Sequence, residues 1–292
     1  MKIKYKAGYY IFDIVNYFFL FMVGFITLYP MWYILIVSIS SDYYISRSLV
    51  NVWPRGFTIG AYNLVFKNWD LWRSYLNTII YTGVGTLFNM VFTCLCAYPL
   101  SRSDFYGRRF FNFFVIFTMF VSGGMIPTYL VIYNLKMLNT IWAMVLPGAV
   151  STFNMIIMRT FFTGIPVSLT ESAYLDGAND LRILRSIILP LSKPILATLT
   201  LFYSVGHWNS FMPALLYLRS KAKYPVQLIL RDIVVQGNVD SQMSWDLVGN
   251  TVLSAINFKY AVIIITIIPI LCVYPFIQRH FVKGVMIGAV KG

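Results

Sequence analysis

The chain has 292 residues, 59% of them hydrophobic and 11% charged, with a formal net charge of +13 and a mean hydropathy of +0.70. A soluble domain carries about a quarter charged residues, so these values exclude an ordinary globular protein and make the bilayer the main solvent. In that setting the positive charge reflects topology and anionic lipid, not nucleic acid, because no basic cluster is interleaved with aromatics in an RNA-binding pattern.

Lys2, Lys4 and Lys6 precede an apolar run from Ile11 to Ile39. A signal peptide has an apolar region of only ~7–15 residues followed by a small-residue cleavage site, so this run is read as a retained first span. Further segments near the ~20 residues that a spanning helix needs are Tyr75–Leu100, Phe110–Ile132, Ile141–Phe162, Pro194–Leu218 and Tyr260–Ile277. No Asp, Glu, Lys or Arg falls well inside any of them; Asp13 and Arg159 lie near ends. One charge at a helix centre costs ~2.5–3.5 kcal/mol. The pattern therefore predicts an all-α, polytopic fold with six transmembrane helices, the whole of 1–292 forming a single membrane domain. It also lacks the intramembrane carboxylates of ion-driven carriers. Cys94, Cys96 and Cys272 all lie in apolar segments and are read as small buried apolar residues, with neither a disulfide framework nor a zinc site suggested.

Orientation follows from the loops. Lys2, Lys4 and Lys6, then Arg102, Arg108 and Arg109, then Arg159, Arg182, Arg185 and Lys193, then Arg279, Lys283 and Lys291 all fall on one side. The densest short-loop clusters are among them, which places both termini in the cytoplasm of a prokaryotic cell membrane. The outer loops are then Ser40–Ser74, the short turn Tyr133–Asn139 and Arg219–Lys259, the last long enough to be either a connector or a contact for an external protein.

Between the fourth and fifth spans lies the strongly polar stretch ESAYLDGANDLRILRSIILP, Glu171–Pro190. Gly164-Ile165-Pro166 ends the span before it. Ser168 stands three residues before Glu171, the spacing of a capping box, which predicts a short helix over 169–176. Gly177 stops that helix in a left-handed turn. A second helix is predicted over 179–189, with Leu181, Ile183, Leu184, Ile187 and Ile188 on one arc and Arg182, Arg185 and Ser186 opposite, ended by Pro190. Ser172, Ala173 and Ala178 leave room at the bend for another surface. Contact with lipid headgroups and docking of a protein both fit this bent knob.

In the fifth span Tyr203, His207 and Ser210 share one helix face, and Asn154 lies mid-way along the fourth. Polar groups in a membrane core face a bundle interior or a wet cavity. These residues are candidate sugar contacts, their hydroxyls and imidazole offering hydrogen bonds. The alternative is bonding between helices, for which Trp208 and Asn209 are positioned on other faces.

At the polar stretch the chain resembles the permease subunits of binding-protein-dependent ABC importers, whose cytoplasmic loop reads E-A-A-x3-G-x9-I-x-L-P. Glu171, Ala173, Gly177, Ile187, Leu189 and Pro190 match at every spacing; Ser172 replaces the first alanine. The likeness extends over essentially the whole chain. It is strongest to the carbohydrate-importer branch related to the second maltose-transporter permease, through ILPLSKPILATLTLFYSVGHWNSF, YPVQLILRDI and FVKGVMIGAVKG. Within that branch it looks most like permeases for complex oligosaccharides and polysaccharide fragments.

The resemblance implies a second homologous permease, two ATPase subunits, an extracellular solute-binding protein and an oligosaccharide substrate. It makes residues 166–190 the coupling loop, with Asp176 and Ala178 alongside the motif residues. It also implies that the tail 281–292, through Lys283, Gly284 and Lys291, reaches the ATPases; otherwise it is a frayed end. The phosphate loop G-x-x-x-x-G-K-[ST] is absent, so ATP and Mg belong to the partner subunits and this chain binds no cofactor or metal. Its two histidines, His207 and His280, form no catalytic pairing, which argues against an enzyme.

Overall fold

The computed structural model describes residues 7–235 and 255–289, and the described residues form helices without strands. Contacts divide the chain into two compact units, Met1–Trp69 with Asp232–Ile268, and Asp70–Arg231 with Pro269–Gly292.

The first unit is led by α1, Ala7–Ser38, whose apolar side chains point almost wholly outward: only 11% of its most hydrophobic window is buried. Its end is anchored. Ile36, Val37 and Val50 form a small core, Ser38 Oγ and Tyr62 Oη lie 2.7 Å apart, and Asn257 Nδ2 donates to Ser40 O at 2.9 Å. The first of the expected outer loops contains two short helices, α2 (Asp42–Ser46) and α3 (Gly60–Lys67). Trp32 Nε1 donates to Val52 O at 2.8 Å, so this loop is held by the span beneath it.

In the second unit α4 runs from Trp69 to Ser101. Its buried positions include Ser74, Thr78, Tyr81, Gly85, Asn89 and Thr93, three or four residues apart, with Thr86 beside them. Small and polar side chains thus form one inward stripe, while Leu87, Val91 and Leu95 face out. That distribution suits a helix in lipid, where close packing and hydrogen bonds hold helices together. Cys94 is buried, but Cys96 lies on the exposed side of the same helix and Cys272 is exposed as well; all three thiols are free. The expectation of buried cysteines holds only for Cys94, because a two-residue step turns Cys96 to the opposite side.

Expected single helices are interrupted. The third is α5 (Arg108–Phe120) and α6 (Met125–Asn134), bent by 113° where Ser122, Gly123 and Gly124 break the ladder. The fourth is α7 (Ile141–Val145), a tight turn at Leu146–Gly148, and α8 (Thr152–Thr163), bent by 54° at Pro147 and Gly148. Proline and glycine are the usual causes of such breaks. α9 (Val167–Leu175) and α10 (Asp180–Leu191) follow. The fifth expected helix is α11 (Lys193–Trp208) and α12 (Met212–Tyr217), with Pro213 in the first turn of α12. α13 is Val226–Val235, and α14 runs Ala255–Ala289. By length and composition three helices can cross a membrane, or up to six if each bent pair counts as one span.

Candidate functional site

The polar stretch folds as a bent knob. α9 begins at Val167 with Pro166 at its cap position and no side-chain capping bond. The capping box expected from Ser168 and Glu171 is therefore not formed. Pro166, at φ −56°, starts the helix early and leaves Ser168 inside it, where its carbonyl accepts Ser172 Oγ at 2.9 Å. The C-terminus is a Schellman motif: Ala178 N–H donates to Ala173 O and Gly177 N–H to Tyr174 O, both at 2.9 Å. Gly177 takes φ +78°, which side chains with a Cβ adopt at a cost. Asn179 Oδ1 then accepts the Arg182 N–H at 2.9 Å and caps α10.

Pro190 does not end α10; a widened π-turn over Leu184–Ile188 precedes it and the helix runs on to Leu191. Proline cannot donate to the carbonyl four residues back and its ring crowds that carbonyl, and the wider turn makes room. α10 then meets α11 at an 86° bend.

The inner face of the knob is anchored to the membrane helices. Ile183, Leu184 and Ile188 are buried with Ala97, Tyr98, Met155, Met158, Phe162 and Leu199, while Ala178, Ile187 and Leu189 pack at the edge. The apolar arc of α10 is thus covered by protein, and of the two readings left open by its pattern, lipid contact is not what buries it. Leu181 departs from the arc and is 69% exposed. Polar bonds reinforce the seat. Asp180 Oδ1 accepts both Tyr174 Oη, at 2.5 Å, and Tyr98 Oη, at 3.3 Å from the end of α4. Arg102 lies over the Tyr174 ring, its Cζ 5.1 Å from the centroid, and its guanidinium is forked on Asp104 at 3.1 Å. The fork holds Asp104 below the usual carboxylate range, and the bond to Asp180 holds the Tyr174 hydroxyl above the usual phenol range.

The motif residues therefore divide. Ala173, Ala178, Ile187 and Leu189 face the packed side; Glu171, Ser172, Asp176, Gly177 and Pro190 are exposed. Leu175, 89% exposed, and Leu181 flank the glycine turn and give the outer surface apolar tips between acids. Tyr98, Tyr174, Asp180 and Arg102 were not singled out by pattern. The signal available was weak: an acid at the first position of a helix and tyrosines at a span end are common for other reasons.

A second polar seam lies deeper, along α4. Asn89 Nδ2 donates to Ala149 O at 3.0 Å and to Gly148 O, carbonyls left free by the break between α7 and α8. Because carbonyls only accept, the amide nitrogen faces them and Oδ1 faces the imidazole of His207, 2.6 Å away. His207 Nε2 therefore carries the proton. The ring sits where a Cβ on Gly85 would be, so this glycine permits the contact. Tyr203 Oη pairs with Thr93 Oγ1 at 2.7 Å and accepts Ser151 N–H at 3.1 Å. Thr86 and Ser204 meet at 3.1 Å. Tyr203 and His207 thus spend their polar atoms between helices. Asn154 is buried and its N–H is capped by Ser151 Oγ; Ser210 lies in the break after α11. Trp208, positioned by pattern for bonding between helices, does not supply it: its Nε1 is buried and meets no hydrogen-bond partner among the described residues. Asn209 bonds to its own helix at Val205 O and accepts from Gln227.

In the tail, Lys283 and Gly284 lie within α14, which continues to Ala289; Lys291 lies outside the described residues. Among the described residues no group of three His, Cys, Asp or Glu is placed to hold a metal.

Apolar helices with breaks stitched by side chains, and a polar knob packed against their ends, are the architecture of a multi-pass membrane component. The comparisons agree. Residues 89–287 match the family described as binding-protein-dependent transport system inner membrane component. Protein LplC of Bacillus subtilis is 44% identical over 287 residues, covering 98% of this chain and 97% of that one. The polygalacturonan/rhamnogalacturonan transport system permease protein YtcP of the same organism is 43% identical over 284 residues, covering 97% and 99%. A crystal structure of a bacterial ABC transporter involved in importing the acidic polysaccharide alginate contains a chain that superposes with a TM-score of 0.92 at 37% identity, covering 96% of this chain and 100% of that one. The chain belongs to the binding-protein-dependent transport system inner membrane component family, as a non-catalytic membrane subunit of an ABC transporter.

Proposed function

We propose that this chain forms half of the translocation pathway of an ATP-driven importer of oligosaccharides. The relatives named as polysaccharide or oligosaccharide permeases support the substrate class. In this reading six spans cross a prokaryotic cell membrane with both termini in the cytoplasm. A second, homologous permease completes the pathway, two ATPase subunits bind ATP and Mg, and an extracellular solute-binding protein delivers the sugar.

Residues 166–190 are the coupling element. The observation that carries this role is the division of the knob: an inner face seated on α4 by Asp180 and the apolar core, and an outer face offering Glu171, Asp176 and exposed leucines around a left-handed glycine. A part that must follow an ATPase and move a span needs both faces, since a ligand biases a two-state element only through differential contacts. Lys283, Gly284 and Lys291 form a secondary contact with the ATPases. Of the expected face Tyr203, His207 and Ser210, only Ser210 stays a candidate for the sugar path, with Asn154 beside it; Tyr203 and His207 support its wall, because their hydrogen-bonding atoms are committed to Thr93, Ser151 and Asn89.

The test is uptake by vesicles holding the assembled complex. It requires both ATP and the external binding protein, and removal of either abolishes it. Uptake driven by an ion gradient alone would contradict the reading.

A further inference from the structure

A cavity of about 390 Å³ lies far from the coupling element, lined by Tyr133, Asn134, Lys136, Leu138 and Arg219. α4 shows how far. Near its start Asn77 Nδ2 donates to Ala222 O and Tyr224 O, at 2.9 and 3.1 Å, and near its end Tyr98 reaches Asp180. At 1.5 Å per residue those two positions are about 30 Å apart, the thickness of a bilayer core. The cavity, joined to residues 219–224 through Asn139, therefore opens on the face opposite the coupling knob.

Its walls are fixed. Asn139 Oδ1 accepts the N–H groups of Arg219 and Ser220 at 3.3 and 3.2 Å, and Lys223 Nζ donates to Asn139 O at 2.6 Å. Lys136 stands at φ +55°, in a second Schellman motif: Met137 N–H donates to Ile132 O at 3.1 Å and Lys136 N–H to Tyr133 O at 2.9 Å. This is the position that the coupling knob fills with Gly177. A lysine there is strained, and strain of this kind persists where the side chain has a use.

The charge is one-sided. Residues 133–141 and 217–231 contain no acid, and among the described residues neither Lys136 nor Arg219 meets a carboxylate. A guanidinium fork and an ammonium suit a carboxylate, an amide suits hydroxyls, and an exposed tyrosine ring gives a flat surface for a sugar face. The volume is that of a small-ligand site.

We infer that this cavity is an outer binding site for a uronate unit of an acidic oligosaccharide, its carboxylate held by Arg219 and Lys136. The inference rests on the reading of the chain as part of an oligosaccharide pathway. It is tested with the whole complex in nanodiscs of neutral phosphatidylcholine, by titrating trigalacturonate and, as the uncharged control, maltotriose. Trigalacturonate binds more tightly and its affinity falls with salt; Arg219→Ala and Lys136→Ala each weaken it at least about tenfold. Lys136→Gly relieves the backbone strain, so it raises the melting temperature while still weakening trigalacturonate, which a purely structural lysine would not do. Equal binding of the two trisaccharides, binding that survives the double alanine substitution, or binding that tracks added anionic lipid instead of these side chains overturns the inference. ATP-dependent uptake by the same complex reports separately on the importer reading and persists if only the carboxylate site is wrong.

Discussion

Gly85 and His207 interlock: the ring occupies the space a Cβ would need, and the imidazole N–H is spent on Asn89. Gly85→Ala should therefore destabilise the detergent-solubilised protein by about 1–3 kcal/mol through overpacking. His207→Ala leaves the Asn89 oxygen without its donor, at a cost of about 1–3 kcal/mol. The two losses should not add, since the smaller side chain at 207 removes the clash at 85. Thermal unfolding of the single and double variants checks this, and additive losses would contradict the geometry. Asp180 is the corresponding residue in the knob. With Asp180→Ala, Tyr98 and Tyr174 lose their common acceptor, and the ATP consumed per sugar imported should rise while basal hydrolysis is kept. A purely structural role would lower both together.

The element that matters most is the knob of α9 and α10. Its turn and its apolar arc were legible in the sequence because each is local: a glycine for positive φ, and leucines and isoleucines recurring at helical spacing. Its start was not, because Pro166 competes with Ser168 for the cap and the fixed φ of proline prevails. Its anchor was not either, since Tyr98 and Asp180 are 82 residues apart and only folding brings them together. The breaks in the third and fourth expected spans were similarly missed. Hydropathy reads composition, and free carbonyls at Gly148 and Ala149 are tolerated in an apolar setting only because Asn89 satisfies them. At this scale, Ile183→Ala or Leu184→Ala removes contacts from a fully packed seat and should cost about 2–5 kcal/mol. Leu175→Ala and Leu181→Ala, on the exposed side, should leave the melting temperature nearly unchanged but weaken retention of the ATPase on copurification.

The whole molecule places the polar knob at one end of α4 and a basic cavity beside the other. Single cysteines at Asp176 and Lys221, in a background freed of Cys94, Cys96 and Cys272, should react with an impermeant maleimide from opposite sides of the membrane. Labelling of both from one side would contradict the topology. The coupling role is tested most directly by Gly177→Val, measured in vesicles holding the complete complex as sugar imported per ATP hydrolysed. Nothing crowds a Cβ there, so the damage falls on the left-handed backbone that shapes the turn. In this variant the ATPase subunits should remain bound and hydrolyse ATP while import falls to background. Normal import by this variant, with the ATPases bound as in the wild type, would contradict it.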